Sequence, residues 1–275
     1  MLVQAFPQTL LLSPRSSLGR RFRRRASGAA RAELEIVLPR SPEAQLEACF
    51  LAVRRGEELG LRKQRCHLAL PPIYRSDLDD WPGGDAQRLL VLTPLVERLL
   101  LRLGGTGLSS GVLDAADEQH VRFFRTSSHL AIVLGSADSL AAVRRMASAN
   151  EELTLLLINC EWAQADFGLL PFLRSASSRA DERFAAELTE TFSLRDSRIR
   201  GQDLQILRAF PAGWRVYATT AAGSATAMID ELPTSPETGA LEKLVTSLGD
   251  ASIANADVMK RLKAEFDFNK DSLKR

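Results

Sequence analysis

The sequence lacks the short patterns that identify many enzymes and metalloproteins by inspection. Neither G-x-x-x-x-G-K-[ST] nor G-x-G-x-x-G occurs in its 275 residues, and a P-loop is therefore excluded. The three histidines, His67, His120 and His129, do not stand at metal-ligand spacing, so the sequence indicates no metal site. We therefore predict neither a metal ion nor another cofactor.

Long apolar runs and paired cysteines are also missing. No stretch approaches the roughly eighteen consecutive apolar residues of a membrane-spanning helix, so no such helix is expected. The three cysteines, Cys49, Cys66 and Cys160, are far apart and form no C-x-x-C pair. This usage argues against a disulfide framework or a zinc ribbon, and it fits a reducing compartment such as the cytosol or the plastid stroma.

Acidic residues are absent from the first part of the chain. Residues 1–32 contain seven arginines and four serines but no Asp, Glu or Lys. This composition is typical of an organelle transit peptide, so we predict that residues 1–32 are a disordered transit segment that is cleaved near Ala32. The alternative is a basic arm that stays attached and binds RNA or an anionic surface.

The charge of the protein depends on which of these interpretations holds. The whole chain has 36 basic and 34 acidic residues, and without the seven leader arginines 29 basic residues face 34 acidic ones. Residues 33–275 then carry a net charge of −5. Because binding to phosphate backbones needs a basic surface, we predict that the mature form binds no nucleic acid.

The hydrophobic pattern predicts a single α/β domain over residues 33–249, followed by a charged tail helix over residues 250–275. Helix and strand patterns alternate in the first half of the domain, and strand patterns dominate the second half. We therefore predict a mixed sheet with a parallel centre, a C-terminal antiparallel meander at one edge and helices on both faces.

Two local patterns in the second half of the domain support this fold. Phe184, Leu188 and Phe192 recur every four residues and predict a helix over residues 179–192. Alternating apolar residues bounded by Gly and Pro then predict the three strands of the meander. These strands cover residues 204–210, 214–220 and 225–232.

The stretch GLSSG at residues 107–111 matches the G-x-S-x-G pattern of a serine nucleophile elbow. That motif needs a strand before the serine and a helix after it, whereas here a predicted helix and two glycines precede it and a loop follows. The sequence therefore favours a flexible glycine loop over a hydrolase active site, and we predict no catalytic residue.

The stretch NCEW at residues 159–162 directly follows a predicted buried strand. Ligands in open α/β sheets bind at the carboxyl ends of strands, so Asn159, Glu161 and Trp162 are candidate ligand-binding residues. In the alternative interpretation Asn159 caps a turn, Cys160 packs as a small apolar side chain and Trp162 covers the sheet edge. The residues favour this alternative, because the sequence shows no base, metal or anion partner nearby.

The hairpin around residues 208–218 offers a second candidate site. Arg208 and Arg215 flank its turn and Trp214 is its aromatic anchor, so these three residues are candidates for binding an anionic ligand or partner. Cross-strand pairing of the arginines on a solvated face is the commoner arrangement.

Several segments, taken in order along the chain, resemble the plastid family called domain of unknown function nineteen ninety-five. They are PRSPEAQLEACFLAVRRGEELGLRKQRCHLALPP, DWPGG, LLINCEW, FAAELTETFSLRD, LQILRAFPAGWRVYA and DELPTSPETGALEKLV. The resemblance covers about Glu33 to Leu248, and the family includes a Low Photosystem II Accumulation protein of plants and the C-terminal extension of a plastid adenylate kinase. It implies a chloroplast protein of the stroma or the stromal face of the thylakoid, and it carries over no catalytic residue.

Two functions are consistent with these observations. The resemblance implies a non-enzymatic accessory protein for photosystem assembly or thylakoid biogenesis, with protein partners such as photosystem subunits or other assembly factors and at most peripheral membrane contact. The alternative is a small-molecule or nucleotide-binding α/β enzyme of unknown reaction, with its site near Asn159 and Trp162.

Overall fold

The computed structural model describes most of the predicted domain, and the predicted leader and tail helix lie outside the described residues. The described residues are 37–70, 84–113, 121–162, 176–219 and 226–248. None of the helices in these segments is long and apolar enough to cross a membrane.

The described segments form five helices and nine strands. The helices are α1 (Pro42–Glu58), α2 (Gly84–Arg102), α3 (Leu140–Ser148), α4 (Ala176–Ala186) and α5 (Thr238–Ser247). The strands are β1 (Lys63–His67), β2 (Ser109–Val112), β3 (Arg122–Arg125), β4 (His129–Val133), β5 (Thr154–Ile158), β6 (Thr189–Ile199), β7 (Gln202–Ala209), β8 (Trp214–Thr219) and β9 (Thr226–Leu232).

All nine strands belong to one sheet in the order β2-β3-β4-β5-β1-β6-β7-β8-β9. The four central strands β4, β5, β1 and β6 are parallel, and β7, β8 and β9 follow β6 as an antiparallel meander. This confirms the predicted mixed sheet with a parallel centre and a C-terminal meander.

The structure adds a second antiparallel pair, β2 and β3, at the other edge of the sheet. Ser109, Ser110 and Gly111 of the supposed glycine loop lie in β2 and pair with residues of β3. Small polar residues have low intrinsic strand preference, so only the pairing with β3 makes this segment a strand.

The predicted helix over residues 179–192 is also wrong in its second half. Helix α4 ends at Ala186, and β6 begins at Thr189 as a central strand of the sheet. A spacing of four residues places side chains on one face of a helix and also on one face of a strand, because four is an even number. In the sequence, an apolar spacing of four residues therefore does not distinguish a helix from a regular strand.

Helices cover both faces of the sheet, as predicted. On one face, called here the α1 face, the Gln64 amide of β1 donates to the Val53 carbonyl of α1 at 3.3 Å, and an ion pair between Arg98 and Glu43 joins α2 to α1. The opposite face, called the α3 face, is packed by α3, α4 and α5. Its core residues include Leu130, Ile132, Leu155, Leu157, Val143, Phe184, Ile206, Val216, Leu241 and Val245.

A chain of hydrogen bonds ties α1 to the amino end of β4. The buried His129 ring contacts Glu57 of α1 at 2.7 Å through Nε2 and Ser128 at 2.8 Å through Nδ1. Burial by itself raises the pKa of the Glu57 carboxyl, but the hydrogen bond and charge of His129, with help from Arg54, outweigh burial and lower it below 4.5. The pair therefore stabilises the fold when Glu57 is ionised.

We predict that Glu57→Gln lowers the free energy of unfolding by about 1–3 kcal/mol at pH 7, because it removes a charged partner from a buried ring. A group whose pKa is lowered by folding contributes stability above its unfolded pKa and loses it on acidification. The difference in the free energy of unfolding between wild type and variant therefore has its largest value above about pH 4.5 and decreases below that pH.

Urea unfolding at pH 7 and at pH 3.5–4 measures this difference. Glu58→Gln is the matched control, because Glu58 forms an exposed pair with Arg55 and such pairs contribute at most about 1 kcal/mol. Equal losses in the two variants, or a Glu57→Gln loss that does not change with pH, would contradict the assigned role of the Glu57–His129 pair.

Candidate functional site

The carboxyl ends of β1 and β5 lie next to each other at the centre of the sheet. The chain continues from β1 to α2, on the α1 face, and from β5 to α4, on the α3 face. Adjacent parallel strands whose connections leave toward opposite faces open a crevice at their carboxyl ends, where α/β proteins bind ligands. The NCEW stretch and His67 both lie at this position.

Asn159 uses its side chain to hold the chain where it leaves β1. Its amide accepts a hydrogen bond from the Leu68 N–H and donates one to the Leu68 carbonyl, both at 2.9 Å. Its φ of 50° is in the left-handed region, which Asn tolerates better than most residues. Gln45 of α1 holds Ala69 with the same pair of bonds, at 2.9 and 3.0 Å. These two amides position the carboxyl end of β1.

The other residues of the NCEW stretch lie toward the α3 face. Cys160 is buried, and burial raises the pKa of its thiol to about 12, so it packs as a neutral side chain. Trp162 packs at the margin of the α3-face core, and the Arg65 guanidinium lies 5.4 Å from its ring centroid. Glu161 projects outward with 70% of its side chain exposed.

Five residues from three adjacent strands form what we call the basic strip. They are Arg65 and His67 of β1, Ser193 and Arg195 of β6 and Arg208 of β7. His67 is the register partner of Ser193, and Ser193 is the register partner of Arg208. Because register partners project from the same face of a sheet, these three residues form one row on the α3 face.

A one-residue register shift between β1 and β6 produces this row. Arg65 pairs with Glu190, but the next residue, Cys66, pairs with Phe192, so one extra residue of β6 is accommodated there. The Thr191 hydroxyl and the Cys66 thiol are 3.7 Å apart on the α1 face. Thr191 and Phe192 are therefore both buried toward α1, while the residues on either side of them project toward α3.

Glu190 and Glu161 set the charge of the basic strip. Glu190 accepts a hydrogen bond from Arg195 at 2.8 Å through its carboxylate and one from Arg208 at 3.4 Å through its carbonyl. The His67 ring lies 3.9 Å from the Glu161 carboxylate. Burial, followed by the charges of Arg195, Arg65 and Arg88, lowers the pKa of His67 from 6.5 to about 3. His67 is therefore neutral at pH 7. The three arginines of the strip then exceed the two neighbouring glutamates by one positive charge.

Three buried polar atoms at this site have no hydrogen-bond partner among the described residues. They are Ser193 Oγ, Arg195 Nε and Trp162 Nε1. Ser193 is completely buried, whereas 41% of the Arg195 side chain is exposed. Since most buried polar atoms are hydrogen bonded, unsatisfied donors beside an excess of positive charge indicate a place for an anionic acceptor.

The structure separates the three predicted residues of the hairpin. Arg208 belongs to the basic strip, whereas Arg215 projects from the opposite face and pairs with Glu231 at 3.2 Å. Trp214 is buried in the α3-face core beside α5 residues Leu241 and Val245. Of the predicted candidates, only Arg208 belongs to the basic strip. Trp162 lies beside it, against Arg65, and its Nε1 has no hydrogen-bond partner among the described residues.

His67, Ser193 and Arg195 were not predicted from the sequence as site residues. A signal for them exists, because Arg65 and His67 in β1, and Ser193 and Arg195 in β6, are polar residues two apart in central strands. A strand that is buried on both faces is expected to be apolar throughout, so such a pair marks an uncovered or functional part of the face.

Comparison with protein-family models finds one match, to the family described as Domain of unknown function (DUF1995), over residues 19–243. The chain belongs to this family, which confirms the family resemblance noted from the sequence. Comparison with the curated proteins and with the solved structures finds no match.

We predict that Asn159→Ala lowers the free energy of unfolding by about 2–4 kcal/mol, because two buried backbone groups of Leu68 lose their partners. Asn159→Gly loses the same hydrogen bonds but accepts the positive φ without strain, so it is expected to be about 1 kcal/mol less destabilised. Denaturant unfolding measures both values. Wild-type stability of Asn159→Ala would contradict the structural role of this amide.

Proposed function

We propose that this chain binds a small anionic ligand at the basic strip, on the α3 face at the carboxyl ends of β1 and β5. The observation that carries the proposal is the pair of buried, unsatisfied donors Ser193 Oγ and Arg195 Nε within a group of three arginines. Guanidinium groups bind carboxylates and phosphates through charge-assisted hydrogen bonds, which are about twice as strong as neutral ones. Their long side chains can reorient around an entering ion.

The size of the strip favours a small ligand over a nucleic acid. Its positive charge is confined to three arginines on three strands, whereas residues 33–275 carry a net charge of −5. A polynucleotide needs a continuous basic footprint, and an acidic body repels it. A small anion interacts only with the local charges, because solvent and salt screen the rest of the protein over about 8 Å.

We predict that pyrophosphate at about one hundred times its Kd raises the thermal unfolding midpoint by roughly 5–10 °C, because ligand binding to the folded state contributes about 2.7 kcal/mol at that ratio. Ser193→Ala is expected to weaken binding about tenfold while leaving the ligand-free midpoint unchanged or higher, because the buried hydroxyl has no partner to lose among the residues that the structure describes. Arg195→Gln is expected to weaken binding at least as much.

Thermal shift titrations with pyrophosphate, inorganic phosphate and ATP against sodium chloride of equal ionic strength provide the measurement. Arg145→Gln removes the same charge from an exposed position of α3 and is the matched control, for which wild-type binding is expected. If no anion stabilises the protein beyond the chloride reference, or if Arg145→Gln weakens binding as much as Arg195→Gln, the proposed anion site is ruled out.

For the cellular role, we propose a chloroplast accessory protein that acts in photosystem assembly or thylakoid biogenesis. Two features support this proposal: the acid-free, arginine-rich composition of residues 1–32 and the family resemblance. In this role the chain works in the stroma or at the stromal face of the thylakoid, through photosystem subunits or other assembly factors. The anion site would then bind a regulatory ligand or an acidic group of such a partner.

Isolation of the native protein from plastids tests this role. We expect an N-terminus near Glu33, since a transit segment is removed after import, and co-migration with an assembly intermediate in native gels. A polypeptide that retains Arg20 to Arg25, or one that migrates only as a free monomer, would argue against it.

A further inference from the structure

His67 lies where an anion bound at the basic strip must touch it. Its register partner Ser193 is completely buried and carries an unsatisfied hydroxyl, and the row continues to the guanidinium of Arg208. Register partners in adjacent strands hold their side chains about 5 Å apart. An oxyanion that accepts a hydrogen bond from Ser193 is therefore next to the imidazole ring of His67.

The charged groups around His67 come from every described element that packs near it. They are Arg65 on β1, Glu190 and Arg195 on β6, Arg208 on β7, Arg88 on α2 and Glu161 after β5. Arg88 is itself paired with Asp85 at 3.5 Å. The remaining three arginines exceed the two glutamates by one positive charge, and a proton on His67 raises the excess to two.

We propose that the anionic group of the ligand is a tetrahedral dianion such as a phosphate monoester, and that its binding is coupled to protonation of His67. This inference rests on the proposed function, because it concerns the same strip. A dianion balances the charge of the strip only when His67 is protonated, whereas a monocarboxylate balances it with His67 neutral.

The physical reason for the coupling is the arginine repulsion that keeps His67 neutral in the free protein. An anion among these guanidiniums screens that repulsion and adds its own attraction. Opposite charges within about 4–6 Å raise the pKa of a histidine by 1–3 units. The pKa of His67, which is about 3 in the free protein, therefore rises in the complex, and the affinity for the anion increases as the pH falls below 7.

Sulfate is the probe for this coupling, because it remains a dianion between pH 5 and pH 7. Any proton that is taken up on binding is therefore taken up by the protein. We expect the affinity for sulfate to be higher at pH 5 than at pH 7 by up to about 10-fold, which is the linkage limit for the largest of these pKa rises. In His67→Gln the affinity is expected to be independent of pH in this range. Arg145→Gln is expected to show the same pH dependence as wild type.

Isothermal titration calorimetry at pH 5, 6 and 7 measures these affinities, and circular dichroism confirms that each variant is folded. Wild-type affinity that does not change with pH, or an unchanged pH dependence in His67→Gln, would overturn this inference and leave the anion site intact. Absence of sulfate, phosphate and pyrophosphate binding at every pH would instead remove the proposed function.

Two further probes distinguish the sources of such a group. Glycerol 3-phosphate represents a soluble ester, and vesicles containing phosphatidic acid represent a lipid headgroup. Phosphate esters take up a proton themselves near pH 6, so wild type and His67→Gln are compared at each pH. An affinity advantage of wild type that grows as the pH falls supports the inference and identifies the source. If acetate binds as tightly as sulfate and with the same pH dependence, the dianion assignment is wrong.

Discussion

The register shift between β1 and β6 decides what lies on each face of the sheet. With continuous pairing, Cys66 would lie opposite Thr191 and His67 opposite Phe192, so the phenyl ring of Phe192 would project among the arginines. Ser193 and Arg195 would then enter the apolar layer under α1. The extra residue instead keeps Phe192 completely buried on the α1 face and returns the polar residues of β6 to the α3 face. The core and the basic strip therefore depend on the same irregularity.

The buried polar residues at the carboxyl end of β1 fall into two groups with different consequences. The amides of Asn159 and Gln45 make complete pairs of hydrogen bonds with backbone groups of Leu68 and Ala69, so they stabilise the folded chain. Ser193 is equally buried but makes no hydrogen bond with the described residues, so its hydroxyl costs stability. A fold that satisfies its structural amides and leaves donors unused beside three arginines is organised to receive an acceptor from outside.

The accuracy of the sequence predictions follows the range of the interactions involved. Strands β7 to β9 each pair with a strand that is close by in the sequence, so local alternation was sufficient to predict them. Strand β6 pairs in parallel with β1, about 125 residues away, and its apolar spacing fits a helix equally well. At the site, the position of the NCEW stretch was predicted, but Arg208 and Arg215 were treated alike although they project from opposite faces.

The sequence by itself determined the alternation of helices and strands in the first half of the domain, the meander and the unequal charge of leader and body. Only the tertiary structure decided that His67, Ser193 and Arg208 form one row, and that the Asn159 amide forms hydrogen bonds with the backbone of Leu68, directly after β1. Composition and periodicity are local properties of a chain, whereas the face on which a strand residue projects depends on its register with a distant strand. A single-residue shift in that register is therefore invisible in the sequence and determines the chemistry of the site.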